Sequence, residues 1–350
     1  MNAQPSLLKG PRMEELLRSY FLEAGYYVVR GVPFVYEGFD VTDIDLWLYS
    51  RASSVSREVT IVDAKNKKTP QAIERIFWVQ GLKIATNATN AVVATTDKRQ
   101  EVKDFGRDLG VLVLDGTFLA KLDRMPTPNA LRLSDEEFMA EIDSYALNKL
   151  DGDWRARVLL SKSLLAKSLS FDSCNEWLSQ GRFFAEQVIV KGNQSKTALR
   201  ILYLLASFLF VAIDFCMREL SFHEQSERSK LLQDGFTYGS KGSAGLKKVL
   251  NIAIGLVEQH AKDGTLIAGQ VRRSVEHQLA QLNTSILGEY FSRNDVARTL
   301  FSSAKAFEEL AMNRDFVSHA VAPEYKGLLY CLLDYWEIDR AMFASASAIA

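Results

Sequence analysis

Cysteine is scarce and scattered in this chain. Cys174, Cys216 and Cys331 are the three in 350 residues, and no CxxC pair occurs. That argues against a disulfide framework and a thiolate-bound structural zinc, and it points to a reducing, cytoplasmic compartment. An excess of charge of one sign is also missing. There are 42 Lys and Arg against 43 Asp and Glu, a net charge of −1. Without a global basic field, any nucleic-acid binding must come from local patches. Long hydrophobic runs are absent too. The most apolar stretch, Ile201 to Ile213, has 13 residues between Arg200 and Asp214. A membrane span needs about 20, so this reads as a buried helix with no membrane partner. The first residues, MNAQPSLLKGPR, lack the apolar core of a signal peptide. His223, His260 and His277 show no metal-ligand spacing and read as structural. The glycine-rich YGSKGSAGLKK, Tyr238 to Lys248, lacks GxxxxGK[ST] and reads as a flexible loop rather than a P-loop.

What is present is ordinary globular material. The chain is 47% hydrophobic, and its length suits roughly two domains of about 150 residues. MEELLRSYFLEAG (13 to 25) has apolar residues at helical spacing and closes on Gly25. YYVVRGVPFVY is β-rich and broken by Gly31 and Pro33. DIDLWLYS and EVTIVDAK read as strands joined by a polar turn. TPQAIERIFWVQGLKIATNA reads as a helix with Thr69 as N-cap and Pro70 in its first position. NAVVATT, DKRQEVKDFGRDLG and VLVLDG follow as strand, helix and strand. This α-β-β-β-α-β-α-β string implies a mixed sheet flanked by helices. After Leu122 the composition changes, and from Asp135 onward the patterns are helical. The expected helices are 138–150, 156–169, 194–220, 246–260, 268–287, 295–312 and 324–342. The division expected is an α/β domain over 1–123, a linker with connecting helices over 124–193, and an all-α bundle over 194–350.

One stretch, VTIVDAKNKK, places Asp63 and Lys65 at the end of an apolar strand. A buried charge costs several kcal/mol unless something pairs with it. Residues i and i+2 share a face of a strand, so Asp63 and Lys65 project together. The same rule puts Asp43 and Asp45 on one face of DIDLWL and Ile44, Leu46 and Leu48 on the other. If the two strands pair, Asp45 comes near Asp63. Two adjacent carboxylates repel, and burial adds to the penalty. A divalent cation relieves both, and hard oxygen donors favour Mg²⁺ or Mn²⁺. Lys65 would then stabilise charge on a phosphate or orient an attacking water.

VTDIDLWLYS followed by IVDAKNKK resembles the PD-(D/E)XK nuclease superfamily, in particular its Mrr-type restriction endonuclease and archaeal Holliday-junction resolvase branches. The likeness covers about residues 9 to 122. It includes an N-terminal helix carrying a glutamate, Glu14, and the ending NAVVATTDKRQEVKDFGRDLGVLVLDGTFL. The resemblance implies a restriction-endonuclease-like fold in which Glu14, Asp45 and Asp63 bind Mg²⁺ and Lys65 assists catalysis. Gln80 matches a glutamine that some branches place beside the site. Glu15 is an alternative to Glu14, and Asp43 to Asp45. Lys65, Lys67 and Lys68, with Arg75 and Lys83 on the next helix, are candidate phosphate contacts. Trp47 and Trp78 read as core residues.

A second motif, NRDFVSHA, spans Asn313 to Ala320. Arg314 and His319 resemble the RX4-6H motif of HEPN domains, over roughly 194 to 343. That likeness implies metal-independent RNA cleavage, with histidine as general acid or base and arginine holding the phosphate. On an ideal helix the two would stand about 140° apart. HEPN domains meet that by pairing, so a homodimer through the helical domain is implied. The combined expectation is a Mg²⁺- or Mn²⁺-dependent DNA endonuclease with a dimerising or RNA-cleaving module, of the kind found in prokaryotic defence. The alternative is a non-cleaving protein that binds DNA or another partner.

Overall fold

The computed structural model describes residues 9–65, 71–124, 131–316 and 323–348. Alternating apolar residues build a five-stranded sheet in the order β1-β2-β3-β4-β5. The strands are β1 (Tyr27–Tyr36), β2 (Phe39–Arg51), β3 (Arg57–Lys65), β4 (Asn90–Thr95) and β5 (Val111–Leu114). The first three form an antiparallel meander, and β4 and β5 continue it in parallel. Such parallel steps need crossovers, and helices supply them. They are α2 (Ala72–Ala85) between β3 and β4, and α3 (Gln100–Asp108) between β4 and β5. One face of the sheet carries both α1 (Lys9–Glu23) and α4 (Gly116–Leu122), the latter capped by Asp115 accepting from the backbone of Thr117 and Phe118. A mixed sheet flanked by helices is therefore what the chain forms.

Gly25, at φ +95°, turns the chain out of α1 where a side chain would be strained. Contrary to expectation, Gly31 and Pro33 do not break β1. It is an edge strand, so Pro33 removes no interior ladder bond. The ladder irregularity falls instead between Phe34 and Val35. The helix after β3 begins at Ala72 with Gln71 before it, later than the Pro70 start expected. Thr69 and Pro70 lie outside the described residues. One face of the sheet makes a core in which Met13, Leu16, Leu17 and Phe21 of α1 pack on Val28, Leu46, Leu48, Val62, Ala64, Val92 and Ala94.

The remaining chain is helical: α5 (Asp135–Asp143), α6 (Trp154–Ser163), α7 (Phe171–Val190), α8 (Ser195–Leu220), α9 (Gln225–Tyr238), α10 (Gly242–His260), α11 (Gly264–Ala280), α12 (Thr284–Phe291), α13 (Asn294–Met312), α14 (Pro323–Tyr335) and α15 (Arg340–Ala348). Two of these, α7 and α9, fall where no helix was expected. The expected 268–287 and 324–342 helices are each divided in two. The glycine-rich loop is also corrected: α10 starts at Gly242, so most of YGSKGSAGLKK is helix. The long apolar α8 has the length and composition to cross a membrane, and 89% of its apolar window is buried inside the protein.

The chain divides into two compact units. The first comprises Met1–Leu169, Tyr203–Phe208 and Ala304–Val317; the second comprises Ser170–Leu202, Leu209–Ser303 and Ser318–Ala350. The first therefore adds α5, α6, a middle segment of α8 and the last turns of α13 to the sheet. Within it, Tyr27 and Ser207 share a buried hydrogen bond of 2.7 Å. In the second, Phe236, Phe291 and Phe210 form a chain of rings with centroids 6.3 Å apart at each step.

Candidate functional site

The end of β3 carries the charges singled out in the sequence. Residues Leu46 and Val62 are paired across β2 and β3, and the antiparallel register brings Asp45 beside Asp63. Leu46, Val62 and Ala64 point into the core, so the carboxylates take the opposite pleat. The backbone amide of Ala64 donates to Asp45 Oδ2 at 2.6 Å, and Lys65 Nζ donates to the same oxygen at 3.1 Å. Lys65 Nζ also stands 3.8 Å from Asp63. Glu14, from α1, lies close enough to feel the charges of both Asp45 and Lys65. Thus β2 and β3 bring Asp45, Asp63 and Lys65 to one place, while Glu14 of α1, bonded to Arg30, lies within electrostatic range of Asp45 and Lys65.

Arginines complete the cluster. Asp63 is 6% exposed. Both its oxygens are held by Arg75 of α2, with Nε donating to Oδ2 at 2.7 Å and Nη2 donating to Oδ1. Arg30 of β1 donates from Nε to Glu14 at 2.8 Å, from Nη1 to Glu15 at 2.7 Å, and from its other terminal nitrogen to Glu136 of α5. Glu15 is paired a second time, to Arg18 at 2.6 Å. Sequence reasoning missed Arg30, although a charge inside YVVRGV carries the signal that marked Asp63.

The electrostatics follow from burial. Desolvation raises the Glu14 carboxyl above its ordinary pKa, with Arg30 opposing and Asp45 adding to the rise. Asp45 is likewise raised by burial, against the pull of Lys65 and the Ala64 amide, with Asp63 adding repulsion. Burial works against the charge on Arg75, but Asp63 outweighs it and its pKa is raised. Burial also opposes the charge on Arg30, and Glu136, Asp135 and Glu15 overcome it.

The open choices in the sequence now separate. Asp43 is exposed and pairs with Pro33 across the sheet. Glu15 is bound between Arg18 and Arg30, whereas Glu14 bonds Arg30 alone among the described residues and lies within the field of Asp45. Gln80 is half-buried on α2, and its amide oxygen has no hydrogen-bond partner among the described residues. Lys67 and Lys68 lie outside the described residues. Trp47 is 1% exposed, as expected of core, but Trp78 is 43% exposed and so is not. Residues Ala72, Ile76, Val79 and Leu82 form the buried face of α2, which leaves Trp78 outside it, with the Arg75 guanidinium 5.7 Å from its ring.

Oxygen donors at this density suit a hard divalent ion. In the arrangement seen, however, they do not fit one. Among the described residues no group of three or more His, Cys, Asp or Glu is placed to hold a metal. Arg75 takes both oxygens of Asp63, and Lys65 lies on Asp45.

The second motif is placed differently. Arg314 belongs to the first unit and donates to both oxygens of Glu137, at 2.8 and 2.6 Å. Glu137 in turn accepts from the Ser134 amide in the capping box of α5. His319 lies outside the described residues. No protein-family model, no curated protein and no solved structure matches the chain. The functional reading therefore stands on the residues and their geometry.

Proposed function

We propose that the first unit is a divalent-metal-dependent phosphodiesterase acting on DNA, related to the PD-(D/E)XK nucleases. The observation that carries this reading is the meeting of Asp45, Asp63 and Lys65 at the paired ends of β2 and β3, with Glu14 of α1 within electrostatic range. The element order α1-β1-β2-β3-α2-β4 supports it. A bound Mg²⁺ or Mn²⁺ would supply a polarised water and neutralise charge on the phosphate. The chain's own contribution is separate. Asp45 is fixed by the Ala64 amide and holds the Lys65 ammonium. That leaves Lys65, 36% exposed at its side chain, as a cation that can meet a phosphate oxygen or orient a water.

A second reading is favoured by one observation. Asp63 and Asp45 already have cationic partners in Arg75 and Lys65. Such a site is compatible with a protein that binds DNA or another partner without cutting it. Plasmid incubation with Mg²⁺ or Mn²⁺, and with EDTA, separates the two. Metal-dependent nicking that disappears in Asp63→Ala and in Lys65→Ala is expected. Retained DNA binding with no nicking in either metal would overturn the enzymatic reading in favour of the second. Ribonuclease chemistry at Arg314 and His319 rests on the motif alone, and we assign it no step.

A further inference from the structure

We propose that Arg75 is an exchangeable cation that occupies the Asp63 carboxylate at rest and moves to a backbone phosphate when nucleic acid binds, freeing Asp63 for a metal ion. The inference rests on the phosphodiesterase reading and explains why the carboxylates do not fit a metal in the arrangement seen.

Geometry gives the first support. A guanidinium fork satisfies both oxygens of a carboxylate, and the same fork satisfies two oxygens of a phosphate. Arg75 makes the carboxylate version with Asp63. Its exchange partner would approach from solvent, and the Arg75 side chain is 28% exposed while Asp63 is 8% exposed. The arginine is thus the accessible member of the pair.

The surroundings give the second. The guanidinium lies within cation–π range of Trp78, 5.7 Å from the ring, and Trp78 is 43% exposed. Withdrawal from Asp63 therefore leads along an aromatic face toward solvent. An exposed tryptophan beside an arginine is also a platform on which an unpaired base can stack.

Charge balance gives the third. Without Arg75, Asp63 keeps among the described residues only Lys65 at 3.8 Å, and Lys65 is already bonded to Asp45 at 3.1 Å. Arg30 is shared among Glu14, Glu15 and Glu136 and has nothing to lend. Releasing Arg75 would leave the Asp45 and Asp63 carboxylates facing one ammonium, the condition that draws in a divalent cation. Phosphate and metal should then bind with positive coupling, because one removes the plug that excludes the other.

The test uses the full chain and two equilibrium readouts that need no catalysis. Mn²⁺ affinity is measured without DNA, from the electron paramagnetic resonance of free Mn²⁺. Affinity for a 20-base-pair duplex is measured in EDTA by fluorescence anisotropy. Arg75→Gln should raise Mn²⁺ affinity at least about tenfold, within the usual span of coupling between sites. The same change should weaken duplex binding about fivefold, as expected for one lost phosphate contact. Lys83→Gln removes an equal charge from α2 without a bond to Asp63, and should leave Mn²⁺ affinity within about twofold by screening. Arg75→Lys keeps the charge but not the fork, and should fall between wild type and Arg75→Gln; it serves if the glutamine variant unfolds. Unchanged or weaker Mn²⁺ binding in both Arg75 variants overturns the proposal. So does stronger Mn²⁺ binding with undiminished duplex affinity, since the arginine would then not be serving phosphate. If neither wild type nor any variant binds Mn²⁺, the phosphodiesterase reading itself fails, a different result from equal binding by all.

Discussion

Replacing Arg30 by methionine should destabilise the first unit by about 3 kcal/mol, a figure built from the burial of each partner starting at the usual loss for a broken buried pair. Arg30 is 5% exposed on an edge strand and holds three carboxylates at once. Removing one member of a buried ion pair costs about 3–5 kcal/mol, because the other charge is stranded. Two partners escape that fate. Glu15 keeps Arg18 at 2.6 Å, and the Glu136 side chain is 47% exposed and can hydrate. Glu14 does not escape: its side chain is 20% exposed and it lies in the field of Asp45. The low end of the range therefore applies. One kcal/mol moves Tm by roughly 2–4 °C for domains of 150–250 residues, the size of this unit, so Tm should fall by roughly 6–12 °C at pH 7. The pH dependence follows in sign. The folded-state pKa of Glu14 is already above its ordinary 4.5, and Arg30 is what restrains it. Without Arg30 it rises further. A carboxyl raised in the folded state contributes stability below its unfolded pKa and loses it as pH rises through the folded value. The deficit of the variant should thus be largest near neutrality and shrink as pH falls toward 4.5. Thermal unfolding by circular dichroism at several pH values reads this out. A fall of less than about 2 °C at pH 7, or a deficit that grows on acidification, would refute the assignment of Arg30 as the anchor of Glu14.

Two further changes are diagnostic. Asp45→Asn keeps an acceptor for the Ala64 amide while removing a charge that burial disfavours. The raised Asp45 carboxyl takes stability away as pH rises through its folded pKa, so at pH 7 the amide variant should unfold at the same temperature or higher, with nicking abolished. A lower Tm would mean that the Lys65 pairing outweighs desolvation. Gly106→Ala would place a Cβ 2.5 Å from Val113 Cγ2 and 2.8 Å from the Val111 carbonyl, where α3 crosses β5. Urea unfolding should show a loss of about 1–3 kcal/mol from this overpacking.

Much of the sheet was legible because period-two alternation leaves little choice. In DIDLWL alternation separates Asp43 and Asp45 from Ile44, Leu46 and Leu48; VTIVDAK is apolar on both pleats and both are buried, and the antiparallel register sets Asp45 beside Asp63. Reading Glu14 into the cluster needed the family resemblance, since nothing local to MEELL indicates which residue a helix will face. The partners of the carboxylates were not legible. Arg75 reaches Asp63 only through the angle at which α2 returns over the sheet, and Arg30 meets Glu136 across 106 positions of chain. The helical half was harder for a related reason. Residues Phe171–Val190 carry Gln180 and Gly181 inside an otherwise apolar face; Gly181 is there because Trp336 approaches a built Cβ to 2.9 Å. Packing of that kind overrides propensity and blurs the period. The same holds at Gly242–Gly245, where glycine and serine in the first turn suggested a loop and α10 forms nonetheless.

The cations around the cluster are graded in exposure, and the gradient assigns their work. Arg30 is 6% exposed at its side chain, Arg75 28% and Lys65 36%. A buried guanidinium with three carboxylate partners cannot leave without stranding them, so Arg30 is a fixed part of the fold. An exposed cation gives up less, because water replaces part of what its partner supplied. Arg75 and Lys65 are the cations of the cluster that solvent reaches, while desolvation keeps Glu14 and Asp45 reluctant to remain charged. On the exchange proposed above, an outer cation passes from its carboxylate to a phosphate, and the carboxylate passes to a metal ion, while Arg30 stays in place.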